Sequence, residues 1–205
     1  MIVIIDYGTG NTGSILNMIR KVGYEAKISN SQDDILSASV LILPGVGAFD
    51  NAIKKFNASG LRQIIEQRVI SDKIPFLGIC LGMQLIFEAS EEGSEKGLGW
   101  VPGKVKRFDF KGGKYSHLKT PHMGWNIVKP VKDCNLFDGL KEPRFYFVHS
   151  YYVSCDDDFM LAVANYGHKF VCSIQKDNIY ATQFHPEKSH KFGIRFFKNF
   201  LETVC

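Results

Sequence analysis

Four short apolar runs, "IVII", "AKI", "VLILP" and "PFLGI", are each followed by a segment with helical character in the first half of the chain. The first of these segments, "TGSILNMIRKV", places Ile15, Met18, Ile19 and Val22 on one face and stops at Gly23. A second helix is expected from Ser31, where Ser31 and Asp34 read as a capping box. "FDNAIKKFN" with "LRQIIEQRVI", and then "LGMQLIFEAS", complete the pattern. Runs of strand and helix in strict alternation need crossover connections, so the pattern predicts a mostly parallel sheet covered on both faces. The second half is richer in strands, with "VKRFDF", "WNIVKPV", "FYFVHSYYV", "MLAVANY", "FVCSIQ" and "IYATQF". A closing helix around "FGIRFFKNFLETV" buries its Phe and Ile cluster. No repeat or linker divides the chain, and 205 residues with 45% apolar content suit one domain spanning 1–205.

Several function classes have little support. The net charge of +4 is mild and dispersed, which argues against nucleic acid as a partner. The densest basic stretch, Lys104 to Lys119, reads as a solvated hairpin. No run approaches the roughly 18 apolar residues of a membrane span, and "MIVIID" is too short and too soon acidic for a signal peptide. A cytoplasmic protein is expected. Five cysteines without a C-x-x-C pair suggest neither a disulfide framework nor a thiolate metal site. Gly8, Gly10 and Gly13 spell G-x-G-x-x-G after the first strand. The acidic residue that would end the next strand of a dinucleotide fold is absent, because "EAKIS" runs into Ser29 and Asn30. The glycines are better read as a turn, and no cofactor is expected.

The chemistry concentrates in "PFLGICLGMQLIF". A buried strand ends at Cys80, a helix begins at once, and Gly78 and Gly82 flank the cysteine. This is the thiol counterpart of a nucleophile elbow, where glycines let a sharp turn pack closely. "YATQFHPEKS" supplies a base, His185, and an orienting carboxylate, Glu187, two positions apart across a stiff proline. The N–H of Leu81 is one donor for an oxyanion. "LILPGVGAF" offers a second around Val46 and Gly47, since Gly45 and Gly47 permit unusual backbone angles.

"PGVG", "GICLGMQ" and "FHPE", in this order and at these separations, resemble the class I glutamine amidotransferases nearly end to end. That resemblance implies a flavodoxin-like α/β fold with a mostly parallel central sheet, flanking helices and added antiparallel strands in the second half. It also implies a Cys80–His185–Glu187 triad that hydrolyses L-glutamine through a thioester. "DYGTGN", "PHMGWN", "VHSYYV" and "HPEKS" are most similar to the glutaminase subunits of imidazole glycerol phosphate synthases, which serve histidine biosynthesis. By this resemblance Gln84 and Glu92 contact the substrate. The backbone of His149, Ser150 and Tyr151 lines the same pocket beside Gly45 and Gly47. Asn11, Trp125 and Lys188 lie at or near the interface with a separate (βα)8-barrel cyclase, the partner in a heterodimer. For Trp125 a place in the core remains an equal reading.

Three other readings stay open. The first is a paralogue whose barrel partner amidates a different acceptor, such as a nucleotide-linked sugar. The second is a stand-alone gamma-glutamyl hydrolase with the same elbow. The last is a nucleotide-binding module built on the opening glycines.

Overall fold

The computed structural model describes residues 1–111 and 114–205. Its helices are α1 (Thr12–Lys21), α2 (Gln32–Ser37), α3 (Phe49–Ala58), α4 (Arg62–Glu66), α5 (Leu81–Leu85) and α6 (His190–Val204). The first strands are β1 (Ile2–Ile5), β2 (Ala26–Ser29), β3 (Val40–Gly45) and β4 (Phe76–Cys80). They are followed by β5 (Ala89–Ser90), β6 (Lys104–Arg107), β7 (His122–Ile127), β8 (Lys129–Pro130) and β9 (Arg144–His149). The last are β10 (Tyr151–Ser154), β11 (Met160–Tyr166), β12 (His168–Lys176) and β13 (Ile179–Thr182).

The main sheet runs β2-β1-β3-β4-β13-β12-β10-β6-β5, with β11 paired to β12 and β8. From β2 to β13 every pairing is parallel, and β13 to β6 is antiparallel throughout. The strand order reverses around β1, so the carboxyl ends of β1 and β3 open the crevice in which α/β sheets bind ligands.

Period-two alternation divides the apolar residues between the two faces. Val3, Ile5, Leu41 and Leu43 join the core that α2, α3, α4 and α5 cover. Ile2, Ile4, Val40 and Ile42 join the core under α1 and α6. In α6, Phe196, Phe197 and Phe200 are fully buried, each worth about 1.5–3 kcal/mol. That outweighs the roughly 1 kcal/mol cost of Gly193 in the same helix. The glycine has a use, because a Cβ there would stand 1.8 Å from the Pro186 carbonyl oxygen. Its absence lets α6 lie directly on the turn that carries Glu187.

The elements differ from the sequence expectation in five places. The helix after Cys80 closes at Leu85, because the chain then turns back so that Leu98 and Trp100 donate to the Leu85 and Ile86 carbonyls. "FYFVHSYYV" is broken at Ser150, with β9 pairing β7 in a separate two-stranded sheet and β10 entering the main one. "WNIVKPV" is likewise divided between β7 and β8. Ser31 does not cap α2 through its side chain, since Asp34 is bound by Lys27 and Ser29 instead. Among the described residues the basic stretch forms no hairpin of its own: β6 pairs β10 and β5, and Phe108 is buried among Tyr152, His149 and Phe170. Residues 112 and 113 of that stretch lie outside the described residues. Among the described residues no helix is long and apolar enough to cross a membrane.

Candidate active site

Cys80 ends β4 with φ 56° and ψ −109° and opens α5 in the next residue. A non-glycine residue in this region costs about 1–3 kcal/mol and persists only when its surroundings hold it there. Two glycines supply that hold by close packing. A Cβ on Gly82 would lie 2.0 Å from the Leu43 carbonyl oxygen, and one on Gly78 would lie 2.8 Å from the Gly82 carbonyl oxygen. α5 therefore rests on the backbone of β3 and β4, and the elbow read from the sequence is present.

His185 follows β13 and is 1% exposed. Its N–H donates to the Tyr146 carbonyl of β9, and Ser189 Oγ donates to its own carbonyl oxygen at 2.6 Å. Its Nδ1 lies 2.8 Å from Glu187 Oε1, whose carboxylate is equally buried. The spacing of His185 and Glu187 predicts an extended segment here, but Pro186–Lys188 forms a 3-10 turn that swings Glu187 back under the ring. Among the described residues the imidazole Nε2 is buried without a well-aligned hydrogen-bond partner, and the Cys80 sulfur acts on the ring both through its charge and as a hydrogen-bond acceptor. Burial pulls the His185 pKa down. Cys80 and then Glu187 outweigh burial, through charge and hydrogen bonding, and raise it to about 10.

Cys80 and His185 line a cavity of about 430 Å³ with Val46, Gly47, Leu81, Gln84, Glu92, His149, Ser150, Tyr151 and Lys188. Pro121 and Val148 add to its wall. Glu92 also accepts the Phe49 N–H at the start of α3, 2.9 Å away. Gly45 is buried in β3 rather than on the wall, because α5 lies over it. A Cβ there would meet the Gly82 nitrogen at 2.8 Å. The Val46 N–H is engaged by Thr9 Oγ1 at 3.4 Å, and that hydroxyl donates to the Val46 carbonyl at 2.7 Å. The opening glycine loop thus lies against "PGVG". A Cβ on Gly10, which has φ +109°, would stand 2.8 Å from the Pro44 Cβ. Tyr7 Oη donates to the Pro44 carbonyl, and burial together with the Cys80 charge keeps this phenol protonated far above its ordinary range.

Asn11 caps α1 without a side-chain hydrogen bond. Trp125 is 47% exposed and stacks on His190 at 5.6 Å, so it is a surface aromatic and not a core one. Met123 and Ile127 share its exposed face of β7, and together they form an apolar stripe. Lys188 is exposed, with Nζ 6.0 Å from the centre of the Tyr146 ring.

Sequence reasoning misses a buried polar network behind the wall. His149 Nδ1 lies 2.7 Å from the Tyr151 carbonyl, His122 Nδ1 lies 2.9 Å from His149 Nε2, and Asn126 Nδ2 lies 3.2 Å from His122 Nε2. A carbonyl can only accept, so every proton in the series is assigned from Tyr151 outward. Asn126 donates to His122, His122 to His149, and His149 to Tyr151. Both rings are neutral in this arrangement, and burial lowers their pKa values to about 4 for His122 and about 3 for His149. Gln183, two residues before His185 and fully buried, is also missed. Its one signal is a long polar side chain directly after the end of β13.

The family pattern described as glutamine amidotransferase class-I matches residues 3–204. Over 206 residues the chain is 49% identical to the imidazole glycerol phosphate synthase subunit HisH 2 of Pseudomonas aeruginosa, covering all of both chains. The subunit of the same name from Methanococcus maripaludis is 50% identical, again over the full length of both. Among solved structures, a glutamine amidotransferase superposes with a TM-score of 0.77 at 19% identity. That match covers 100% of this chain and 99% of the other, and it shows the shared fold.

Proposed function

Because the chain belongs to the class I glutamine amidotransferase family, we propose that it is the glutaminase subunit of an imidazole glycerol phosphate synthase, with Cys80, His185 and Glu187 as its triad. The observation that carries this reading is the strained Cys80 at the floor of a cavity, beside a histidine held by a buried carboxylate. Relatives of that name with 49–50% identity over their full length support the pathway.

The Cys80 thiolate attacks the carboxamide carbon of L-glutamine, and the Leu81 N–H donates to the oxyanion. A C–S bond forms as the π electrons move to oxygen. While the sulfur is anionic it holds the imidazolium proton in place. Acylation removes that charge, and with it the largest of the influences that hold the proton on the ring, so His185 gives its proton to the leaving nitrogen. The C–N bond breaks and ammonia departs. The neutral imidazole next takes a proton from water as the water attacks the thioester, and the C–S bond breaks to restore the thiolate and release glutamate. Glu187 fixes the ring throughout.

A Val46 donor is withheld in this conformation, since its N–H is turned to Thr9. Rotating that peptide brings the N–H toward the cavity, and the neighbouring Gly47, at φ +96°, accommodates the change. The acceptor-bound partner supplies the bias for this rotation. That partner is a (βα)8-barrel cyclase seated on the Met123, Trp125 and Ile127 stripe, with Asn11 and Lys188 beside it, in the cytoplasm. Gln84 and Glu92 then contact the amino-acid end of glutamine, along the backbone of His149, Ser150 and Tyr151.

A glutaminase assay with and without the cyclase and its acceptor tests the proposal. Low activity alone, a large rise in the complex, and formation of imidazole glycerol phosphate are expected. In the complex, Cys80→Ala should lose glutamine-dependent synthesis and keep ammonia-dependent synthesis. High activity without a partner favours a stand-alone hydrolase. Turnover of a different acceptor overturns the pathway assignment.

A further inference from the structure

His185 is not the only polar group that reaches the nucleophile. Gln183 has no exposed surface, and its Nε2 donates to Cys80 Sγ at 3.7 Å. Its Oε1 accepts from Gln84 Nε2 at 2.9 Å, and the same Gln84 nitrogen donates to the Tyr151 carbonyl at 3.2 Å. The orientation of both amides is forced. The Tyr151 carbonyl can only accept, so Gln84 must turn its NH2 group toward it. Gln183 must then turn its oxygen to Gln84, which leaves its own NH2 group aimed at the sulfur. The His122–His149 series ends on the same carbonyl, so this anchor is fixed twice.

We propose that Gln183 is a further catalytic residue, whose side-chain N–H stabilises the Cys80 thiolate before attack and again as the thioester breaks. The proposal rests on the reading of Cys80 as the nucleophile but not on the identity of the substrate or partner. A donor to an anionic acceptor forms a stronger hydrogen bond than one to a neutral group. A buried amide is also already oriented, so nothing reorganises when the charge returns to sulfur. The other titratable groups around the thiol are His185 with Glu187 behind it, the Tyr7 phenol beyond β1, and His149, Tyr151, Glu92 and Lys188 on the cavity wall. All of them remain when Gln183 is replaced, so the difference isolates the amide.

The test is alkylation of the full chain by iodoacetamide across a range of pH, with Cys80→Ala giving the background from the four other cysteines. Gln183→Met removes the donor at similar size. Gln183→Glu keeps an oxygen for Gln84 but turns a second oxygen to the sulfur. Expected results are an acid limb moved upward by about one pH unit or more in Gln183→Met and further in Gln183→Glu, with alkylation slower by about tenfold at pH values on that limb. A purely structural role lowers the melting temperature and leaves the limb in place. Folded variants with the parent profile therefore overturn the proposal. If neither variant folds, Gln84→Met releases the amide from its clamp, and a smaller upward move of the same limb is expected; no move overturns it. Because the reaction uses no glutamine and no partner, a wrong substrate assignment leaves these outcomes intact. A parent chain no more reactive than Cys80→Ala counts against both readings.

Discussion

Lowering the pH from 7 toward 4 adds protons to histidines in the unfolded chain, while His122 and His149 resist them in the folded one. Both have native pKa values below the ordinary 6.5, at about 4 and about 3, because their rings are buried. His122 lies stacked between Phe147 and Tyr166 at 4% exposure, and His149 is 6% exposed. A depressed pKa contributes stability that is full above 6.5 and is lost as pH falls through the native values. Between these limits each residue binds one more proton unfolded than folded, so stability drops by about 1.4 kcal/mol per pH unit for each. At pH 5 the pair together has lost about 4 kcal/mol, a large part of the roughly 5–15 kcal/mol typical of a domain. His168, also lowered by burial, acts in the same sense. His185 does not offset it, since a raised pKa gives its full contribution below 6.5 and loses it only as pH rises toward 10. Urea unfolding followed by circular dichroism at pH 7.5, 6.5, 5.5 and 5.0 measures the slope. His149→Gln should be less stable at pH 7.5, having lost its ring hydrogen bonds, yet show an acid slope shallower by about 1.4 kcal/mol per pH unit. Equal slopes in parent and variant, or an NMR titration of the His149 ring near pH 6.5, refute the reasoning.

Two further outcomes follow from the packing of the elbow and from the outer sheet. Gly82→Ala drives a Cβ against the Leu43 carbonyl oxygen, so α5 must shift by about 1 Å and glutaminase activity should fall by about a hundredfold. Activity near the parent value in a folded variant shows that the elbow tolerates displacement. Trp125→Ala removes the largest exposed ring of β7 and, on the proposed function, should weaken binding of the proposed cyclase partner by at least about tenfold, with the melting temperature of the free chain almost unchanged. Isothermal titration of the two subunits measures this, and undiminished affinity places the interface elsewhere.

The parallel half of the sheet was legible because its signal is local: an apolar run, a helix, a glycine. Cys80 was legible for the same reason, as strand, turn and two small neighbours lie within five residues. The division of "FYFVHSYYV" at Ser150 was not, since its residues continue to suit a strand and only pairing with β7 and then with β6 and β12 separates the halves. Gly45 was placed beside the pocket by the family resemblance and not by a local signal, and what the packing uses is its lack of a Cβ under α5. The His122–His149 contact depends on the register of two strands 27 residues apart. Gln183 lies 103 residues from the sulfur it touches. No spacing rule along the chain encodes either meeting.

The break at Ser150 also has a mechanical meaning. One continuous stretch belongs to the outer sheet up to His149 and to the main sheet from Tyr151, and the residue between them forms part of the cavity wall. The two sheets are separately hydrogen-bonded plates, and this segment is a joint between them. A load applied to the outer plate at Trp125 crosses the β7–β9 ladder to Tyr146, which also holds the His185 backbone. The cavity therefore lies at the seam, where a small relative movement of the plates changes its walls.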